Sequence, residues 1–324
     1  MEKQLIECVP NFSEGRDKNI INAIVSSIES VRGVRVLHID MGEAANRTVI
    51  TFLGEPAPTM EASFRAIKKA SELIEMTCHK GEHPRIGAID VFPVVPIENI
   101  SLTEVDSYVK ALAKRVGIEI GIPIYLYEYS ATTPQRKLLA SCRAGEYEGL
   151  ENKMKDPRWI PDFGSGTFSE IARHSGATVM GARALLVAIN FNLNTKDTEK
   201  AWYIARKIRE RGKTEYSIDG VRSIGWYIEE YGIAQVSMNI TDITTTSLKE
   251  VWERLNAIAL EEDVLITGTE LIGLIPEKVL IEAAEQWGVV GDNEKKINFT
   301  LEKMNFGDLC PFDKNKKILH YENY

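Results

Sequence analysis

The feature of this chain that most restricts its fold is one order of hydrophobic periods that occurs twice. In the second half, residues 182–194 form an apolar run ending in Asn-Leu-Asn, which reads as a buried strand. Thr195 then caps a helix over 196–211. Residues 222–230 alternate, Gly232 turns the chain, and 233–240 alternate again, which predicts a β-hairpin. Thr246 or Ser247 caps a second helix, whose Leu248, Val251, Trp252, Leu255, Ile258 and Ala259 fall at helical spacing. Residues 264–266, continuing toward Leu274, supply a fourth strand. The order is β-α-β-β-α-β, the split unit of a ferredoxin-like sandwich.

The first half shows the same order. Strands are expected at 5–9, 34–39, 48–53 and 88–95, and helices at 17–31 and 58–76. Residues 101–116 add a helix opened by a Ser101-x-x-Glu104 capping box, and 122–127 add a further strand. Residues 146–176 are rich in Gly, Asp, Pro and Trp and have no clean period, which suggests a long functional loop. One or two helices follow Pro276. We therefore expect an α/β (α+β) protein of two related sandwich subdomains, 1–180 and 181–324, with a ligand cleft between them.

Charge and cysteine content narrow the function classes. A formal charge of −8 disfavours a nucleic-acid role, which wants a basic face, and it requires any site for an acidic ligand to be locally positive. No apolar run is long enough for a transmembrane helix, and Met1-Glu2-Lys3-Gln4-Leu5 is too polar for a secretion signal. Cys8, Cys78, Cys142 and Cys310 are widely spaced and read as reduced cytoplasmic thiols.

Chemistry concentrates in Gly81-Glu82-His83-Pro84-Arg85-Ile86-Gly87-Ala88-Ile89-Asp90. Pro84 restricts His83 to extended or turn geometry, so the imidazole is held in a rigid corner. Asp40 and Asp90 both lie near predicted strand ends, and a carboxylate on one ring nitrogen would fix the tautomer and raise basicity. Cys8-Val9-Pro10-Asn11-Phe12-Ser13-Glu14-Gly15-Arg16 is a shaped loop before a helix that Ser13 or Asp17 caps. Arg47 follows a tight turn beside Asp40 and is suited to clamping a carboxylate. In Trp159 to Thr178, Gly164 and Gly166 permit close backbone approach to a ligand, and Phe163 and Trp159 offer aromatic surface. No P-loop, dinucleotide fingerprint or nucleophile elbow is present, and His79 and His83, although four apart, are separated from helical geometry by Gly81 and Pro84, which argues against a metal pair.

Taken together these stretches resemble the glutamate formimidoyltransferase family, in its formiminotransferase domain. The matching motifs are Glu7-Cys8-Val9-Pro10-Asn11-Phe12-Ser13-Glu14-Gly15, Asn46-Arg47-Thr48, Gly81-Glu82-His83-Pro84-Arg85, Arg143-Ala144-Gly145-Glu146-Tyr147-Glu148, Pro161-Asp162-Phe163-Gly164, Gly176-Ala177-Thr178, Gly181-Ala182-Arg183 and Ile224-Gly225-Trp226-Tyr227. They occur in order over nearly the whole chain.

The resemblance implies transfer of a formimino group from N-formimino-L-glutamate to N5 of tetrahydrofolate, in histidine degradation, by a cytoplasmic homodimer. It implies tetrahydrofolate as co-substrate, no metal, and neither nucleic-acid nor membrane partners. It places the acid/base on His83, with Arg85 and Asp40 as the other catalytic residues. Folate contacts fall on Gly164, Ser165, Gly166, Thr167, Phe168 and Gly176, and Asn11 and Arg47 complete the substrate site. The animal enzyme continues into a cyclodeaminase domain, so cyclisation is expected here from a separate protein. Rival readings are transfer of a formyl group, a formiminoglycine donor, and a non-catalytic folate-binding protein.

Overall fold

A computed structural model describes residues 3–243, 245–309 and 311–319. Cys310 and the chain ends at Met1, Glu2 and Tyr324 lie outside the described residues. Cys8, Cys78 and Cys142 carry free thiols. The chain divides into two compact units, residues 1–184 and 185–324.

The first unit runs β1 (Leu5–Cys8), β2 (Asn11–Phe12), α1 (Lys18–Glu29), β3 (Val34–Gly42), β4 (Arg47–Gly54), α2 (Pro56–Leu73), β5 (Ile89–Glu98), α3 (Leu102–Glu119), β6 (Ile124–Leu126), α4 (Leu139–Arg143), α5 (Leu150–Met154), α6 (Glu170–Ser175) and β7 (Thr178–Ala182). β1 and β2 are two pieces of one strand position, interrupted at Val9-Pro10, where proline has no N–H to give a ladder. Across the sheet the order is β3, β4, β1 with β2, β5, β7, β6. The first four positions are antiparallel and have the ferredoxin-like spatial order 4-1-3-2. β7 then pairs parallel with both β5 and β6.

Local chemistry explains the helices. Asp17, not Ser13, caps α1 by accepting from the Asn19 N–H, and Ile21, Ile24 and Ile28 form its buried stripe. The Ser101–Glu104 capping box opens α3 with both reciprocal bonds made. Ile24, Ile67 and Val109 from the three helices pack with Phe52 and Phe92 of the sheet, whose rings meet edge-on 6.4 Å apart.

The opposite sheet face carries a second core, Val91, Tyr125 and Val179, covered by Ile86, Cys142 and Leu150. Segment 134–162 is therefore a packed cover and not an open loop. A buried ion pair, Arg136 Nη1 to Asp162 Oδ2 at 2.6 Å, locks it, and Arg136 also donates to the Ile160 carbonyl at 2.6 Å.

The second unit contains β8 (Val187–Leu193), α7 (Thr198–Ile208), β9 (Val221–Ile228), β10 (Ile233–Ile240), α8 (Leu248–Glu261), β11 (Ile266–Ile272), α9 (Glu277–Gln286) and α10 (Asn293–Lys303). Its antiparallel order, β11-β8-β10-β9, is again 4-1-3-2. The hairpin closes as expected, with Ile228 opposite Ile233. Two details differ from the sequence reading. Asp197, not Thr195, caps α7, while Thr195 Oγ1 accepts from the Asp197 N–H at 3.1 Å. The apolar run from Ala182 is two strands: β7 ends in the first sheet at Ala182 and β8 begins in the second at Val187. Strands buried on both faces read as one hydrophobic run, so their boundary is invisible to periodicity. Among the described residues no helix is long and apolar enough to cross a membrane.

Candidate active site

The site is built where β2 meets β5. Asn11 faces Val91, but the next residue, Phe12, faces Ile89, so Asp90 is the extra residue of a bulge. The bulge turns Asp90 out of the helix-covered core. Residues paired across a sheet share a face, and the row Asp40, Val49, Asn11, Val91, Val179, Tyr125 defines the face away from the helices. Ser13 fastens the neighbouring loop, donating to Gly87 O at 2.7 Å through its hydroxyl and to Ala88 O at 2.9 Å through its N–H.

Asp90 is fully buried, and all four of its lone pairs are used. Oδ1 accepts from the Ile86 N–H at 3.1 Å and Arg143 Nε at 3.1 Å. Oδ2 accepts from Arg47 Nη1 and Arg143 Nη2, each at 2.5 Å. Burial by itself would raise the carboxyl, but the two guanidiniums prevail and hold it at about 2. Asp90 is thus a permanent anion and no proton carrier.

His83 is half-buried beside this cluster. Its Nδ1 lies 2.7 Å from the Pro84 carbonyl. A carbonyl only accepts, so the proton is on Nδ1 and Nε2 carries the lone pair. Arg47 Nη1 lies 3.1 Å from the same nitrogen, a contact of a cation with the ring. Burial, then the charges of Arg47 and Arg143, pull the imidazole well below its ordinary 6.5, against the opposing pull of Asp90. His83 is a neutral base throughout the physiological range. Asn11 sets Arg47 in place, accepting from its Nε at 3.1 Å while donating to Val9 O at 3.0 Å.

Arg85 has a different surrounding. Nε donates to His79 Nδ1 at 3.2 Å, Nη1 to Glu146 Oε2 at 2.9 Å and Glu148 Oε2 at 2.8 Å, and Nη2 to His79 O at 3.2 Å and Glu148 Oε1 at 2.6 Å. All five N–H groups are engaged. His79 completes the arrangement by donating from Nε2 to Asn46 O at 3.0 Å. Arg85 therefore ties the His83 loop to residues 146–148.

Asp40 lies on edge strand β3, on the same sheet face as Asn11, with Oδ2 3.8 Å from His38 Nε2. The stretch expected to contact folate is anchored at both ends. Phe163 O accepts from the Ile124 N–H at 2.9 Å, and the Ser165 N–H donates to Gly121 O at 3.2 Å. At the other end, Ala88 N–H donates to Ser175 O at 2.7 Å, and Gly87 bridges Gly176. Gly164 (φ +84°) and Gly176 (φ +70°) are demanded by the chain itself: a Cβ would sit 2.0 Å from Ile122 O in one case and 2.3 Å from Ile86 O in the other. Gly166 differs, since beyond its own chain neighbours no described atom lies within 4 Å of where its Cβ would be. Thr167 is exposed, and Phe168 is half-buried with the Arg173 guanidinium 5.8 Å from its ring.

The residues that sequence reasoning left without a role are Arg143, His79, Glu146, Glu148 and Lys153. Arg143 ends α4, whose last carbonyls are capped by Lys153: Nζ donates to the carbonyls of Ser141, Cys142 and Ala144 at 3.1, 2.5 and 3.0 Å. The available signal was the Arg-Ala-Gly-Glu-Tyr-Glu stretch, which carries one cation and two anions around a glycine.

Residues 5–183 match the formiminotransferase domain, N-terminal subdomain, and residues 188–323 match the formiminotransferase domain. A formimidoyltransferase-cyclodeaminase of Mus musculus is 41% identical over 98% of this chain, which spans 60% of that relative's length. A glutamate formimidoyltransferase of Streptococcus pyogenes serotype M1 is 41% identical over 89% of this chain and 95% of its own. One from Thermoplasma acidophilum is 39% identical over 87% and 92%. The chain spans about 60% of the bifunctional relatives it matches and most of the monofunctional ones. The chain belongs to the formiminotransferase domain family.

Proposed function

We propose that this chain is a glutamate formimidoyltransferase, moving the formimino group of N-formimino-L-glutamate to N5 of tetrahydrofolate. One observation carries the reading: an imidazole kept neutral by burial and two guanidiniums, with its tautomer fixed by Pro84 O, beside a carboxylate that cannot itself protonate. His83 Nε2 takes the proton from N5 as N5 adds to the electrophilic formimino carbon. The resulting imidazolium returns that proton to the glutamate nitrogen, which departs as a neutral amine when the tetrahedral adduct collapses. A base of lowered affinity releases its proton readily in that second step. The surplus positive charge of Arg47 and Arg143 suits substrates that bring carboxylates. Asp40, on the sheet face it shares with Asn11, is assigned to the catalytic set as its second carboxylate. The open side of Gly166, with Thr167 and Phe168, is assigned to the folate ring system. A homodimer in the cytoplasm belongs to this reading.

The test is a spectrophotometric transfer assay. His83→Ala should lower kcat by roughly 10²–10⁴ while calorimetry still shows reduced-folate binding. Asp40→Asn should lower turnover in a folded protein. Near-wild-type transfer by His83→Ala rejects the mechanism. Formiminoglutamate outperforming formiminoglycine and formylglutamate fixes the donor. Folate binding without any transfer would favour the non-catalytic reading.

A further inference from the structure

Three arginines surround His83 or its loop, and they are not equivalent. Arg85 has no N–H left, because its five donors meet His79, Glu146 and Glu148. Arg47 uses Nε on Asn11 and Nη1 on Asp90, and among the described residues its Nη2 has no hydrogen-bond partner. Arg143 uses Nε and Nη2 on Asp90, and among the described residues its Nη1 likewise has none. Each side chain retains about an eighth of its surface, 13% exposed, so these donor groups are reachable. Asp90 orients both guanidiniums, and its single negative charge leaves the three-residue cluster with one positive charge in excess.

We propose that Arg47 and Arg143 together form the site for the α-carboxylate of the formimino donor, and that Arg85 takes no part in it. This assignment rests on the proposed transfer reaction and names the part of the donor that the cluster holds. The donor's α-carboxylate is attached to the same carbon as the nitrogen that must be protonated. Seating it on the pair therefore keeps that nitrogen on the side of the cluster where the His83 ring lies, with Arg47 Nη1 3.1 Å from the ring's Nδ1. The carboxylates of tetrahydrofolate are separated from N5 by the whole p-aminobenzoyl group, so they do not reach the pair while N5 is at the imidazole. A bound carboxylate cancels the excess charge and supplies acceptors to both open guanidinium edges. The γ-carboxylate is not read by these two residues.

The experiment is a substrate-by-residue cycle on the full chain. Wild type and Arg143→Gln are assayed with N-formimino-L-glutamate, its α-amide and its γ-amide, and KM is measured for donor and for tetrahydrofolate. For wild type, the α-amide should lose at least about tenfold in kcat/KM, and the γ-amide less. In Arg143→Gln the donor KM should rise by a similar factor, the α-amide penalty should collapse, and the tetrahydrofolate KM should stay within about twofold. An α-amide penalty that persists unchanged in the variant overturns the proposal. So does a rise in KM for tetrahydrofolate in place of the donor, which would give the pair to the folate tail. Where the variant does not fold, the wild-type comparison decides: an α-amide as good as the parent acid refutes the assignment. Absence of transfer from formiminoglutamate in wild type is a separate result that refutes the proposed function.

Discussion

Replacing Asp90 by asparagine should be among the most damaging conservative changes in the chain, and its cost can be worked from the site. Holding the carboxyl at about 2 against an ordinary 3.8 means that the ionised form is preferred in the folded state by about 2–3 kcal/mol. A depressed acid stabilises above its unfolded value, so this contribution is complete above pH ~4.5 and disappears as pH falls toward 2. Asparagine loses that term at every pH and adds another. Its NH₂ group must face N–H donors of Arg47 or Arg143, both of which now lie without their anion. Removing one member of a buried ion cluster costs about 3–5 kcal/mol, and the upper half of that range is expected here. The assay is urea unfolding at pH 7 and pH 3, with hydrogen exchange of β5 amides reporting on the first unit. Wild type should lose about 1 kcal/mol more than Asp90→Asn between those pH values, because a carboxyl held at about 2 keeps roughly half of its contribution at pH 3 and every other acid titrates in both proteins. Equal acid sensitivity of the two proteins, or wild-type stability of the variant at pH 7, would refute the electrostatic account.

The same charges set a pH profile. Positive charge at Arg143 lowers the proton affinity of His83 and negative charge at Asp90 raises it, so the acid limb of kcat/KM should move to higher pH in Arg143→Gln and to lower pH in Asp90→Asn; movement of both limbs in one direction would show that His83 is not the titrating group. Gly176→Ala forces a Cβ against Ile86 O at positive φ and should cost more than about 2 kcal/mol in urea unfolding, whereas Gly166→Ala should leave stability within about 0.5 kcal/mol and raise the KM for tetrahydrofolate; equal stability losses would remove the distinction between the chain-packing glycine and the ligand-facing one.

The elements that sequence could reveal are those whose physics is local. The periodicity of Ile21, Ile24 and Ile28, the Ser101–Glu104 box and the Gly232 turn each act within about a turn of chain, and each appears in the structure where the pattern places it. The β7 strand was hidden because its neighbours are parallel and buried, so it has no polar face to alternate with. The site divides in the same way. The rigidity of His83 is legible because Pro84 is its next residue. Its charged environment is not, because Arg47, Asp90 and Arg143 are brought together from β4, a bulge in β5 and the end of α4. A one-residue slip between β2 and β5 converts Asp90 from a core-facing position to the centre of the cluster, and no composition or spacing announces that slip. Arg85 shows the converse. It lies two residues from His83, yet its five N–H donors meet His79 and, more than sixty positions away, Glu146 and Glu148. Proximity in sequence locates the loop that carries His83, and only the count of hydrogen-bond donors left over separates Arg47 and Arg143 from Arg85.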